Sequence, residues 1–169
     1  MNDIVTSGGS TLGMAFALLG AGLTLALGGV GSSIGVGLAG MTAAGVITED
    51  PKKFGKLIPF VALPGTQGVY GLLLFFYVCR QKLLFWTSTT PVYPTMDQGF
   101  ELFFVGLAAG IVLLVSAIYQ GKVAAATIGV IAKKPEQLGK SLILPAFVET
   151  YAVLALVSAI LILGSLKVG

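Results

Sequence analysis

Glu149 is the one charge in Ser141 to Leu166, a run otherwise built of apolar and small residues. It lies 14 residues past Pro135, and the rise of an α-helix carries it from there to about the middle of a bilayer. An ionised group at that depth costs on the order of 3 kcal/mol on insertion scales, so an acid kept there is a candidate for function. Two structural readings compete with that one. Glu149 pairs with Lys122, the other charge embedded in an apolar run, or it is a neutral, permanently protonated structural group. Other oxygen-bearing side chains fall at the same depth. The second apolar run carries LPGTQG (Leu63 to Gly68) and then Tyr70, and the third carries Gln120 ahead of Gly121 and Lys122. Pro64 has no backbone N–H and Gly65 loosens the helix, so this turn is expected to free a carbonyl for a ligand. A carboxylate with amide, hydroxyl and carbonyl oxygens suits a small hard cation or a proton, not a thiophilic metal. A single anion favours a monovalent ion, since a divalent one would leave net charge in lipid.

The elements that hold these residues follow from the charge pattern. Of 169 residues 56% are hydrophobic and only 10% are charged, with mean hydropathy +0.97, where an average soluble domain has about 25% charged residues. Ile4 to Thr48, Leu57 to Cys79 and Leu102 to Gly121 carry no charge, and Ser141 to Leu166 carries only Glu149. Each run is long enough to cross a bilayer, so the chain reads as an all-α membrane protein of four transmembrane helices. The first run exceeds the bilayer thickness, and its helix is expected from about Leu12. With Asp3 and no Lys or Arg ahead of it, the run does not fit a secretory signal, and this helix is expected to stay on the mature protein. The connections EDPKKFGK (49–56) and KKPEQLGK (133–140) hold three Lys each. They are expected on the cytoplasmic side of the cell membrane, which puts both termini on the outer side. The connection from Arg80 to Glu101, with Trp86, Pro91, Tyr93 and Pro94, suits an interfacial turn on that outer face.

Composition also excludes chemistries. Without His and with Cys79 alone, the chain has no His-based acid/base group, no Ser/His/Asp triad, no Cys/His zinc site and no intrachain disulfide. No GxxxxGK[ST] phosphate loop occurs, so nucleotide chemistry belongs to other chains. The net charge of +3 sits as Lys at the ends of apolar runs, where membrane topology explains it and no nucleic-acid partner is implied.

Pro51 and Pro135 each follow a charged pair and precede Gly-Lys four residues later, an offset of 84. The same offset pairs Gly22 with Gly106, Gly37 with Gly121, Gly45 with Gly129 and Thr66 with Thr150. The chain therefore divides into two copies, 1–84 and 85–169, each a helical hairpin. The copies are parallel, because an even number of spans separates corresponding positions; they are not the inverted repeats common in secondary transporters. Glu149 falls opposite Gly65, so only the second hairpin carries the acid. Small residues at four-residue spacing mark Ser33, Gly37, Met41, Gly45 and, one repeat on, Ala117, Gly121, Ala125, Gly129, with a second row at Gly31, Gly35, Ala39, Ala43. Such rows permit close helix contact, either within a four-helix monomer or along the inner wall of a ring.

These motifs together resemble the membrane-rotor proteolipid, the K or c subunit, of V-type rotary ATPases over nearly the whole chain. The residues that carry the resemblance are LPGTQGVYG (Leu63 to Gly71), QGKVAAA (Gln120 to Ala126), KKPE (Lys133 to Glu136) and FVETYA (Phe147 to Ala152). The resemblance implies that Glu149 carries the transported ion. In sodium-pumping members, it implies, Na+ is bound by that Glu with oxygens from Leu63 (backbone), Thr66, Gln67 and Gln120, while Tyr70 holds the carboxylate. H+ is the alternative cargo. It further implies a non-catalytic subunit in a homo-oligomeric ring of identical chains, a stator membrane subunit supplying an Arg, and a central-stalk subunit meeting loops 49–56 and 133–140. A bacterial plasma membrane is favoured over a eukaryotic vacuole. A small four-helix multidrug transporter with one intramembrane Glu is the rival from another class, and a structural pore or junction protein would explain the Gly rows but not the polar cluster.

Overall fold

The structure, a computed structural model, describes residues 9–83 and 91–168. Trp86, and with it the middle of the expected interfacial turn, lies outside the described residues, as does Asp3. Four long helices cross the molecule: α1 (Thr11–Glu49), α2 (Pro51–Lys82), α3 (Met96–Lys133) and α4 (Pro135–Ser165). No strand occurs among the described residues.

Local chemistry sets the ends of these helices. Ser10 caps α1 by accepting the Gly13 N–H at 2.8 Å. Thr95 and Gln98 form a reciprocal capping box at the start of α3, which satisfies donors that the first turn leaves unpaired. Each Lys-rich bend is a short 3-10 turn opened by proline, Pro51–Lys53 and Pro135–Gln137, where the missing N–H costs nothing. α2 is the irregular helix. It runs as Phe54–Ala62, tightens to a 3-10 turn at Leu63–Gly65, resumes as Thr66–Tyr77 and ends in a π-helical turn, Val78–Lys82.

α1 and α3 make the most extensive contact in the molecule, and α4 packs mainly on α3. The α1/α3 seam depends on missing side chains. A Cβ on Gly99 would meet the Gly13 backbone, one on Gly106 the Gly20 backbone, and one on Gly121 the Gly35 backbone. Lipid supplies no hydrophobic drive between helices, so this intimate packing is a main source of their attraction. The seam revises one expectation. On α1 the buried row is Gly31, Gly35, Ala39, Ala43, whereas Ser33, Gly37, Met41 and Gly45 are not buried. On α3, Ala117 and Gly121 are buried but Gly129 is exposed. The rows are copies in sequence, but parallel neighbours must meet through different faces, so each helix turns its own subset inward.

The two Lys-rich bends lie together, for Lys53 Nζ donates to the Ala132 carbonyl at 2.8 Å while pairing with Asp50 at 3.4 Å. At the other end Lys82 Nζ reaches the Leu166 carbonyl at 2.6 Å and Ser10 N–H reaches the Pro94 carbonyl at 3.0 Å. The interior is divided as well. One apolar cluster includes Ala17, Ala21, Leu74, Leu102, Leu113 and Leu163; a second, toward the Lys-rich bends, includes Ala39, Leu57, Phe60, Ala124, Ile128 and Ile131. Between them Ser32, Gln67, Ser116 and Gln120 are buried, and Glu149 is half-buried at the same level.

Candidate ion-binding site

Three helices bring their polar side chains to Glu149. From α2, Thr66 Oγ1 lies 2.8 Å from Glu149 Oε2 and Tyr70 donates its hydroxyl to Oε1 at 2.5 Å. From α3, Gln120 donates Nε2–H to Oε2 at 2.6 Å. All three partners are neutral. An ionised carboxylate offers about four acceptor positions, so these donors satisfy most of it without a counter-charge. Lys122 is not among the partners: it is exposed, with Nζ 4.7 Å from the centroid of the Tyr119 ring. The expected alternative of a Glu149–Lys122 pair is therefore absent from this arrangement.

Thr66 Oγ1 is crowded by oxygen. Besides the carboxylate, the Leu63 carbonyl is 2.9 Å away and Gln67 Oε1 is 3.3 Å away. One hydroxyl proton serves one acceptor at a time, so three acceptor oxygens, from Leu63, Gln67 and Glu149, compete for the proton on Thr66 Oγ1. A hard cation at such a cluster would satisfy them together. The Leu63 carbonyl is less free than Pro64 led one to expect, because the 3-10 turn gives it the Thr66 N–H as well. Tightening to i→i+3 bonding repairs part of what the proline removes.

Gln120 faces the carboxylate with nitrogen, not oxygen. Its Nε2 also donates to the Pro145 carbonyl at 3.0 Å, and its Oε1 accepts from Gln67 Nε2 at 2.7 Å. A half-turn of the amide exchanges O and N at almost no steric cost, and coordination by Gln120 requires that turn. Gln67 keeps its own oxygen toward Thr66 partly because a second acceptor holds its nitrogen, Ser116 Oγ at 3.3 Å.

Ser116 and Ser32 were missed in the sequence. Ser116 donates to the Val148 carbonyl at 3.1 Å, tying α3 to the residue before Glu149. Ser32 accepts the Gly68 N–H at 2.8 Å, tying α1 to α2. They stand 84 positions apart, so the repeat itself held the signal. Thr150 keeps the backbone contact of its counterpart, donating to Phe147 O at 2.7 Å, but faces outward. No buried side-chain polar atom among the described residues lacks a partner.

The sequence matches the family model of the ATP synthase C subunit twice, over residues 19–78 and 103–162. The two matches are themselves displaced by 84 residues. The V-type sodium ATPase subunit K of Enterococcus hirae is 39% identical over 162 residues, covering 96% of this chain and 97% of that protein. The A-type ATP synthase subunit K of Methanocaldococcus jannaschii is 42% identical over 145 residues, covering 86% of this chain and 60% of that protein.

Proposed function

The chain belongs to the family of ATP synthase C subunits, and on that premise we propose that it carries Na+ through the membrane as the rotor proteolipid of a V/A-type ATPase, with Glu149 as the carrier. It is a membrane component of an ion-translocating complex and not itself catalytic. The observation that carries the sodium reading is the group of oxygens from Leu63, Thr66, Gln67 and Glu149 around a single hydroxyl proton. A proton needs one acceptor, whereas Na+ needs several oxygens at once, and Gln120 adds another after its amide turns. Tyr70 then steadies the carboxylate from outside. The relative named as a sodium ATPase subunit supports the same cargo; H+ remains the alternative that the test must distinguish.

The mechanism follows from charge. Loaded with Na+, the site is neutral and tolerates an apolar surrounding; empty, the anion is costly there. Glu149 is half-buried on α4 among exposed apolar residues such as Phe147 and Tyr151, which suits a site that travels past lipid and discharges only beside a cationic group on a stator subunit. Identical chains form the ring, and ATP hydrolysis in partner subunits turns it. Ring rotation between lipid and stator makes release conditional on position. The Lys-rich bends 49–56 and 133–140 face the cytoplasm and meet the central stalk, with both termini outside. Each ion moved against 100 mV involves about 2.3 kcal/mol, so one ATP can drive several.

The test uses purified ring and isotopic sodium. Wild-type protein is expected to bind sodium saturably and to be protected by it from a carboxyl-directed carbodiimide. Glu149→Gln is expected to assemble but neither bind sodium nor react. Labelling that rises as the pH falls and that sodium leaves unchanged at every pH would replace Na+ by H+ as the cargo.

A further inference from the structure

The α1/α3 seam is a contact that the chain makes once but has the surfaces to make twice. Within the chain the α1 glycines of the seam meet α3 residues 86 positions later, as in Gly20 with Gly106, Gly31 with Ala117 and Gly35 with Gly121. The two helices are copies at an offset of 84. Advancing the contact by one repeat pairs each α3 residue with the α1 residue 82 positions before it. Those two faces point apart within one chain, so the pairing is possible only between copies.

Both faces are open in the required positions. On α3, Phe104, Ile111 and Tyr119 are 60%, 48% and 56% exposed. Their counterparts on α1 are Gly22, Gly29 and Gly37, each with open space where a Cβ would stand. Three large apolar side chains thus fall opposite three vacant sockets at one register, and shifting either helix by a turn destroys the match.

The grooves beside α3 name the same occupant. On its open side, between α3 and α4, apolar grooves are lined by Phe104, Val112 and Ala155 at one level and by Val115, Tyr119 and Tyr151 at another. One repeat earlier these positions are Gly20, Gly28 and Gly71, and Gly31, Gly35 and Gln67. That α1/α2 groove is filled by α3 of the same chain, for Gly20 meets Phe103, Gly31 meets Leu114, and Gln67 meets Ser116 and Gln120. By the repeat, the element that fills the α3/α4 groove is α1 of a second copy.

We propose that copies of this chain join head to tail in this register, with Phe104, Ile111 and Tyr119 entering the sockets over Gly22, Gly29 and Gly37 of the next copy. The proposal rests on the ring reading above and adds its register and its spacing. Phe104 and Tyr119 stand where the intrachain seam has Gly20 and Gly35. The seam between copies is therefore wider than the seam within one, and the inner wall alternates close and open contacts.

Cysteine pairs read the register directly. With native Cys79 replaced by Ala, Gly37→Cys with Tyr119→Cys, and separately Gly22→Cys with Phe104→Cys, are oxidised in the membrane and run on denaturing gels. Each is expected to give a ladder of dimers, trimers and larger species that collapses to monomer on reduction. Ser33→Cys with Tyr119→Cys is out of register by one turn, about 6 Å along the axis, and disulfides need Cα atoms within about 7 Å. It is expected to stay monomeric. An assembled ring with no ladder from either in-register pair, or with a ladder as strong from the displaced pair, overturns the register and leaves the ring standing. Absence of any oligomer by native mass overturns the ring reading and this proposal with it.

Discussion

At the scale of single residues, the proposed site separates groups that would touch the ion from groups that would hold Glu149 in place. Thr66 Oγ1 sits among the oxygens of Leu63, Gln67 and Glu149, so Thr66→Val, which keeps the shape and removes the oxygen, is expected to weaken sodium binding about tenfold, the equivalent of 1.4 kcal/mol. Tyr70 donates its hydroxyl to the carboxylate and packs its ring against the neighbouring apolar cluster. Its hydrogen bond is made with and without the ion, so most of its strength cancels, and Tyr70→Phe is expected to cost about threefold. Isotopic sodium titration of the two variants checks the order; a larger loss from Tyr70→Phe would move that residue from support to ligand. Most of these residues were legible in the sequence because polar groups in apolar runs are conspicuous. Ser116 was not, since a serine mid-helix is ordinarily satisfied by its own backbone, and only the fold reveals that it reaches Gln67 and Val148.

At the scale of helices, close approach replaces hydrophobic drive. A methyl group on Gly121 would enter the Gly35 backbone, whereas Gly129 has open space around it. Gly121→Ala is therefore expected to force α1 and α3 apart and to cost about 1–3 kcal/mol. Gly129→Ala is expected to be neutral or mildly stabilising through helix propensity. Thermal unfolding of the purified protein in detergent measures both, and equal midpoints would remove the seam as a stabilising element. The four helices, the hairpin bends and the break at Pro64 could be read from residue types. The inward row of α1 could not, because two rows of small residues on one helix are equally able to face a neighbour until the neighbour's position is known.

At the scale of the whole molecule, both Lys-rich bends lie at one end, held together by Lys53 and the Ala132 carbonyl, and the described termini lie at the other. Two parallel hairpins require this arrangement. With Cys79 replaced, single cysteines at Gly55 and Gly139 are expected to react together with a membrane-impermeant maleimide, in inside-out vesicles and not in right-side-out ones. Reaction of the two from opposite sides would refute the parallel hairpins. Reaction of both from outside would invert the orientation and leave the fold intact.

The sequence alone determined the number of spans, the duplication and the identity of the acid, because each is written in residue type and spacing: charge cannot be hidden in lipid and a copied segment keeps its offset. Only the tertiary structure decided which glycines meet, that Lys122 stays clear of Glu149, and that a polar layer lies between two apolar cores. Those outcomes depend on the rotation and axial shift of one helix against another, which are set by contacts distant in sequence, and two faces of equal composition carry no mark of which is to be buried.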